Sequence, residues 1–158
     1  MARRPMTEPI GLQLTRTARV VTQAFERAMA EAGGSVAAWQ VLLLVRSKQW
    51  DQQTQLAAAM GVTGATLTHH LNALERQGLV RRWREEHNRR VQRVELTEAG
   101  VEMFDRLRDV AVRHDRRVRS RLSADETALL AELLDKLQAG VDPALEGARG
   151  AAGAAVSV

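Results

Sequence analysis

Residues 54–78 read TQLAAAMGVTGATLTHHLNALERQG, and this stretch decides the fold. It holds two runs of helix-forming residues, each preceded by a threonine, which caps helices well, and each followed by a glycine, which ends them. We predict a short helix that Thr54 opens and Gly61 closes, and a second helix over residues 63–77 that stops at Gly78. Two helices therefore meet across a tight turn.

Two segments with strand propensity follow the second helix. They are LVRRW at residues 79–83 and VQRVEL at residues 91–96, and the polar residues 84–90 join them. Between residues 76 and 93 seven arginines face two glutamates, so this stretch has a net charge of +5, against +4 for the whole chain. The order helix, tight turn, helix, basic hairpin predicts a winged helix-turn-helix, whose second helix enters the DNA major groove while the wing reaches the neighbouring minor groove.

Helical periodicity is present on both sides of this unit. Before it, apolar residues recur every three or four positions: Leu14, Ala18, Val21, Phe25 and Ala28. Gly33 ends that helix, and Ser35 can cap a short one that runs to Ser47. After the hairpin, Thr97 can cap a long helix, and residues 123–126 form a capping box for a last, leucine-rich one. The long helix carries a further apolar set: Phe104, Leu107, Ala111, Val118 and Leu122. We therefore expect a mainly α protein.

The chain is expected to divide into four regions. They are an N-terminal dimerisation helix at 1–35, the winged helix-turn-helix at 36–98 with its reading helix at 63–77 and its wing at 79–96, C-terminal dimerisation helices at 99–138, and a flexible Gly/Ala-rich tail at 139–158. Both terminal helices carry apolar stripes, and the last has leucines on more than one face, which exceeds what one neighbouring helix in a small monomer would cover. A homodimer is therefore predicted, with a monomeric bundle as the alternative.

The predicted reading helix has two faces. Leu67, Leu71 and Leu74 fall within about 60° of one another, so they must face the core. The opposite face and its flanks carry small and polar residues: Thr63, Ala65, Thr66, Thr68, His69, Asn72 and Arg76. Asparagine can pair with adenine, arginine and histidine can donate to guanine, and alanine or a threonine methyl fits a thymine methyl. This face is predicted to read base edges, the alternative being an ordinary solvated surface.

The wing supplies a second set of candidate DNA contacts: Arg84, Asn88, Arg89 and Arg90. DNA phosphates attract such a patch through counterion release, and arginines at a wing tip suit a narrow minor groove. Thr54, at the start of the first helix of the pair, is a further candidate as a phosphate contact.

Composition argues against several other classes of protein. A chain of 158 residues can bury a sizeable core as one domain, and all but two of its 23 basic residues are arginine, which favours phosphate recognition. There is no cysteine, so disulfides, thiolate catalysis and cysteine-ligated metals are excluded. No apolar run approaches the roughly 20 residues that span a bilayer, and the basic start does not resemble a signal peptide, so we expect a cytoplasmic protein without a membrane partner. Aromatics make up 3% of the chain, which disfavours base stacking on single strands.

Catalytic and metal-binding patterns are also missing from the sequence. It contains no Gly-rich phosphate loop, no His-Glu-x-x-His and no nucleophile elbow, so an enzyme is not expected. The four histidines show no i, i+4 pair, and His87 with Glu85 or Glu86 is the one arrangement that would suit a metal. We expect no metal and no cofactor.

Four runs of this sequence resemble the MarR family of transcriptional regulators. They are LAAAMGVT at 56–63, LNALERQGLVRR at 71–82, NRR at 88–90 and VELTEAG at 94–100. The resemblance extends from about Ile10 to Gln138. It implies a homodimer whose first and last helices interleave, two winged domains on a pseudo-palindromic operator, and often a small-molecule effector bound between the dimerisation helices and the DNA-reading region. Such a protein acts as a repressor or as an activator depending on where its operator lies relative to a promoter.

Two positions depart from the family pattern. Asn88 stands where an aspartate often holds the tip arginine by a charge-assisted bond, and Gly64 stands where a larger polar residue is common. For the implied effector, the candidate lining residues are Phe25, Met29 and Trp39, although a helical aromatic residue more often belongs to the core.

Two other functions stay open at the level of the sequence. A sequence-tolerant architectural protein would bind duplex DNA through arginines alone and would treat random and operator DNA alike. A purely structural dimerisation module would bind no DNA even at low salt.

Overall fold

The computed structural model describes residues 8–47, 53–84, 86–87 and 92–141. These residues form six helices and a two-stranded antiparallel sheet, with the following bounds: α1 Ile10–Glu31, α2 Val36–Ser47, α3 Gln53–Met60, α4 Gly64–Arg76, β1 Val80–Arg84, β2 Gln92–Leu96, α5 Glu98–Arg119 and α6 Ala124–Val141. The predicted winged helix-turn-helix and the mainly α architecture are confirmed.

The starts of α2, α4, α5 and α6 are fixed by the caps that the sequence predicts. Three hydroxyls accept a hydrogen bond from the backbone N–H three residues ahead: Ser35 at 3.0 Å, Thr63 at 3.1 Å and Thr97 at 3.0 Å. Before α6, the N–H of Glu126 donates to Ser123 Oγ at 3.2 Å while the Glu126 carboxylate accepts from the N–H of Ser123 at 2.8 Å. Gly78 follows α4 with φ at +71°, a conformation that glycine adopts without strain.

One hydrophobic core lies between the helix pair, the hairpin and the helices on either side. The three leucines that α4 turns inward are at most 3% exposed. The other largest fully buried side chains are Met29, Leu42, Leu56, Leu107 and Val41. Because its inner face is buried in this core, α4 is held in place and its opposite face stays at the surface.

Predicted helix boundaries differ from the observed ones at α3, α5 and α6, the last of which runs on to Val141 instead of ending at residue 138. α3 begins at Gln53, so Thr54 lies inside its first turn rather than ahead of it. The Nε2 of Gln53 donates to Oγ1 of Thr68 at 2.6 Å, and this bond between α3 and α4 holds the residue that precedes Thr54. α5 ends at Arg119, and Leu122 lies in the turn before α6, where its N–H donates to the carbonyl of Arg119 at 2.9 Å.

The outer parts of α1 and α6 carry apolar side chains that nothing in the described chain covers. α6 contains no buried residue. Large apolar side chains with 39–87% of their surface exposed are present on both helices: Ile10, Leu12, Leu14, Val20, Leu129, Leu130, Leu133, Leu137 and Val141. The stripe predicted on α1 is half-buried only from Val21 onward.

No single helix among the described residues is long and apolar enough to cross a membrane. α1 and α2 reach that length and hydropathy only when they are taken together across a 76° bend.

Candidate nucleic-acid interface

α4 presents a continuous outer face. Four residues spaced three or four positions apart are exposed on it: Ala65, His69, Asn72 and Arg76. The buried leucines lie on the opposite side of the helix, so the inward and outward faces are those that the sequence predicts. Imidazole, carboxamide and guanidinium groups on an exposed helix are suited to hydrogen bonds with base edges in a major groove.

The threonines near the start of α4 use their hydroxyls within the protein. Thr63 Oγ1 accepts from the N–H of Thr66, and the two hydroxyl oxygens lie 2.9 Å apart. Thr68 is half-buried, donates to the carbonyl of Gly64 at 2.8 Å and accepts from Gln53 at 2.6 Å. Thr63 and Thr66 stay exposed at the helix N-terminus, whereas Thr68 joins α3 to α4 and has already donated its hydroxyl proton.

The wing is a regular hairpin. β1 pairs with β2 along all five residues of each strand. Strand alternation turns Val80 and Arg82 toward the body of the protein and Arg81 and Trp83 outward. Arg81 forms an ion pair with Glu95, which lies directly opposite on β2.

The wing arginines are less available than the sequence count suggests. Glu75 and Glu95 lie just outside the counted stretch, and their carboxylates pair with Arg82 and Arg81. With both included, residues 75–95 contain seven arginines and four glutamates, which is a net charge of +3.

Of the other candidate DNA contacts, two belong to the described part of the chain and three do not. Arg84 is exposed at the end of β1, and Thr54 is exposed on α3. Asn88, Arg89 and Arg90, the predicted contacts at the wing tip, lie outside the described residues.

Arg82 occupies the junction between the wing and α4. Its side chain is only 12% exposed. Nε donates to Oε2 of Glu75 at 2.9 Å, and Nη2 donates both to that carboxylate and, at 2.6 Å, to Oδ1 of Asn72. In the sequence, Arg82 stands out only as one of the seven arginines between residues 76 and 93. Its role at the junction could have been predicted from strand alternation, which places Arg82 on the same inward side of β1 as Val80. A charged side chain that faces the core needs a partner there.

The guanidinium of Arg82 lowers the pKa of the Glu75 carboxyl, chiefly through side-chain hydrogen bonding. A carboxyl group with a lowered pKa in the folded protein stabilises the fold above the ordinary glutamate pKa of about 4.3. That contribution is lost as the pH falls through the lowered value.

We expect Glu75→Gln to lower Tm by a few degrees at neutral pH, and this difference to shrink as the pH falls through the lowered pKa, because the wild-type carboxyl then becomes protonated as well. Thermal unfolding followed by circular dichroism over a series of falling pH values measures the difference. Glu95→Gln is the matched control and should change Tm little at any of these pH values, since both partners of its ion pair are exposed at the surface. A Glu75→Gln protein as stable as the wild type at neutral pH would contradict the expectation.

A cavity of about 710 Å³ lies between α1, α2 and α5. Phe25 and Trp39, two of the three candidate effector contacts, line it. Met29 does not line the cavity, because its side chain is fully buried in the core. We therefore no longer count Met29 among the candidate effector contacts. Phe25 stacks on His114 with ring centroids 4.9 Å apart, and the buried Nε2 of His114 has no hydrogen-bond partner among the described residues. Arg116 belongs to the same wall.

Within the described ranges, no three histidine, aspartate or glutamate side chains converge as metal ligands. His87 and Glu86 are both exposed, and Glu85 lies outside the described residues.

The geometry defines the class of protein. Two helices packed across a tight turn, an exposed hydrogen-bonding face on the second and an adjacent antiparallel hairpin make this a winged helix-turn-helix protein. Residues 35–91 match the model of the MarR family. Over these residues the chain is similar to the MarR family, as the resemblance implied.

Similar solved structures extend the match beyond these residues. The transcriptional repressor CouR, bound to a 23-mer DNA duplex, is 28% identical with a TM-score of 0.74, and the match covers 87% of this chain and 97% of that one. A cysteine-to-serine mutant of MarR from E. coli, complexed with operator DNA, is 22% identical with a TM-score of 0.72 and coverages of 82% and 94%. CouR from Rhodococcus jostii RHA1 bound to p-coumaroyl-CoA is 24% identical with a TM-score of 0.68 and coverages of 86% and 94%. At 22% and 24% identity, the last two structures support the similarity of fold alone.

Proposed function

We propose that this protein is a transcriptional regulator that binds duplex DNA sequence-specifically as a homodimer on a pseudo-palindromic operator. The observation that carries the proposal is the exposed polar face of α4, which lies beside the wing and opposite three buried leucines. α4 enters the major groove, where His69, Asn72 and Arg76 read base edges and Ala65 fits against a thymine methyl. We propose no chemical reaction for this protein. Its proposed location is the cytoplasm.

The proposed contacts to the DNA backbone and the minor groove come from the helix ends and the wing. They are Thr54, Thr63, Thr66, Arg84, Asn88, Arg89 and Arg90. Thr68 is reassigned to the packing of α3 on α4, because its hydroxyl is half-buried and bonded on both sides.

Selection of bound duplexes from a random DNA pool at ~150 mM salt tests the proposal. We expect a palindromic motif with half-sites about one helical turn apart. Equal affinity for every duplex would instead support the sequence-tolerant architectural protein. No binding even at low salt would leave only a dimerisation module.

The wing tip is expected to contribute affinity rather than base preference. Replacing both tip arginines, Arg89→Ala with Arg90→Ala, should lower the affinity for operator and random DNA alike, by about tenfold. It should also reduce the salt slope, which is the steepness with which log affinity falls against log salt concentration, by roughly two. Titration of labelled duplexes over a range of salt concentrations measures both. Arg113→Ala, an exposed arginine of α5, should change neither. A loss confined to the operator would overturn this role for the wing.

The proposed dimer forms through α1 and α6. An apolar groove of about 380 Å³ runs between the start of α1 and the end of α6, with Ile10, Leu14 and Leu137 among its lining residues. Exposed apolar surface of this kind favours association, and a two-fold dimer matches a palindromic site. Residues 1–35 and 99–141 are thus assigned to dimerisation, since α6 runs on to Val141, 36–98 to DNA binding and 142–158 to a tail.

Charges placed on α6 should separate the dimer. Leu130→Glu with Leu133→Glu is expected to reduce the mass in solution from twice the chain mass of 17.5 kDa to that of one chain. Both side chains are about half exposed, so the fold of each copy should survive. Sedimentation equilibrium measures the mass, and Gln40→Glu, an exposed position of α2, is the control. A double variant that keeps the mass of two chains would remove α6 from the interface.

We further propose that the cavity between α1, α2 and α5 holds a small-molecule effector. Its wall combines the rings of Phe25 and Trp39 with the polar side chains of His114 and Arg116, so an aromatic body with a hydrogen-bonding group fits it. α1 and α5 connect the proposed dimer interface to the winged unit, and a ligand that binds one arrangement of these helices better shifts the spacing of the two reading helices.

A further inference from the structure

Asn72 is not free to turn either side of its amide toward DNA. Its Oδ1 accepts a hydrogen bond from Nη2 of Arg82 at 2.6 Å. A guanidinium group has donors only, and a flipped amide would direct its own N–H groups against them. The NH2 group of Asn72 therefore points away from Arg82, on the exposed face of α4.

Arg82 is itself held on two sides. Its Nε and Nη2 both donate to Glu75, which lies three residues after Asn72 on α4. Its backbone is paired with Val94 in the hairpin, and its side chain is 12% exposed. One guanidinium, held in place by the wing, thus contacts two side chains that lie about one turn apart on the reading helix, those of Asn72 and Glu75.

We propose that Arg82 is a positioning residue for base reading: it fixes the Asn72 amide so that α4 presents a hydrogen-bond donor at position 72. The inference rests on the proposed function. Asn72 then contacts an acceptor atom of its base pair in the major groove, which is N7 or O6 of guanine, N7 of adenine or O4 of thymine, and not an exocyclic amino group. Pairing with both groups of adenine, which the residue type alone suggests, would also need the oxygen that Arg82 engages.

The first test needs no DNA. Asn72 and Asn88 are the only asparagines in the chain, so protein labelled with 15N in asparagine gives two side-chain amide signals, and Asn72→Ala assigns them. We expect the Asn72 amide of the wild type to be rigid, with an order parameter near 0.85, and Arg82→Gln to lower it below about 0.6. Arg81→Gln is the matched control, since it removes the same charge from the same strand, and it should leave the signal unchanged. An Asn72 amide equally mobile in the wild type and in Arg82→Gln overturns the inference and leaves the proposed function standing.

The second test uses the random-pool selection. Arg82→Gln and Asn72→Ala should lose about tenfold of the preference at one and the same base pair, and the double variant should lose no more than Asn72→Ala. Arg81→Gln should keep that preference. An Arg82→Gln protein that binds all duplexes equally less well has lost only structure, and this result overturns the positioning role.

A third test uses the wild-type protein with duplexes that contain base analogues. It decides the inference even if the Arg82→Gln variant folds poorly. Analogues that lack the major-groove acceptor at the Asn72 base pair should weaken binding, whereas analogues that lack an exocyclic amino group should not. The opposite pattern means that the oxygen faces the DNA, which overturns the inference. If the wild type enriches no motif, the proposed function fails and base positioning fails with it, even where the amide signal shows that Arg82 holds Asn72.

Discussion

Gly100→Ala is expected to destabilise the protein by about 3 kcal/mol, near the upper end for overpacked sites. A Cβ atom at residue 100 would lie 1.9 Å from the carbonyl oxygen of Leu79 and 2.9 Å from its carbonyl carbon. This neighbour is backbone and has no rotamer to change. The same carbonyl accepts a hydrogen bond from the N–H of Thr97 at 3.1 Å, which ties the start of α5 to the base of the wing. Alanine must therefore push α5 away from the winged unit and break that contact.

Thermal unfolding at a fixed protein concentration measures the effect, since association with a second copy makes Tm depend on concentration. For a chain of this length a loss of about 3 kcal/mol lowers Tm by roughly 10 °C. Gly140→Ala is the matched control, because it is also a helical glycine but has nothing within 4 Å of the added Cβ. We expect it to stabilise by up to about 1 kcal/mol through helix propensity. Equal stability of the two variants would show that α5 does not approach Leu79 this closely.

Arg76→Ala should cause the largest loss of DNA preference. A guanidinium on the exposed face of α4 can donate two hydrogen bonds to one guanine, and the loss of such a pair costs about 1–3 kcal/mol. We expect operator affinity to fall about 10- to 100-fold, affinity for random DNA to fall only about threefold, and the salt slope to drop by about one at most. His69→Ala should likewise reduce base preference.

Titrations of operator and random duplexes over a salt series distinguish these outcomes. Arg113→Ala, an exposed arginine about four turns along α5 from the wing, controls for the loss of charge. Equal losses on operator and random DNA for both Arg76→Ala and His69→Ala would remove α4 from base reading and would favour the sequence-tolerant alternative.

The structure also changes which arginines of the wing are available to DNA. Arg81 and Arg82 look equivalent in the sequence, yet one pairs with Glu95 on the outer side of the hairpin and the other fills the junction with α4. Phosphate contact is therefore better assigned to Arg84 and to the arginines of the tip than to the basic stretch as a whole. A count of charges along the chain overstates the patch because it omits carboxylates that approach from neighbouring elements.

The sequence by itself determined the starts of four helices, the presence of the hairpin and the two faces of α4. The helix starts and the faces depend on residues at most four positions apart, such as the bonds of Thr63 and Thr97 to the N–H three residues ahead, or on the period that separates Leu67 from Ala65. The hairpin pairs residues 8 to 16 positions apart, but two strand-forming segments joined by a short polar one already indicate it. Residue types and their spacing contain that information. The winged helix-turn-helix and its exposed reading face were therefore predictable.

The tertiary structure alone decided which polar groups satisfy one another. The partners of Arg82 lie seven and ten residues away, Thr68 accepts from a residue 15 positions back, and Met29 is in the core rather than in the cavity wall. The close approach of Gly100 to Leu79 is of the same kind. Each depends on how separate elements pack, and packing is set by the sum of many weak contacts across the core. No local spacing encodes that sum, so these contacts became visible only once the elements were in place.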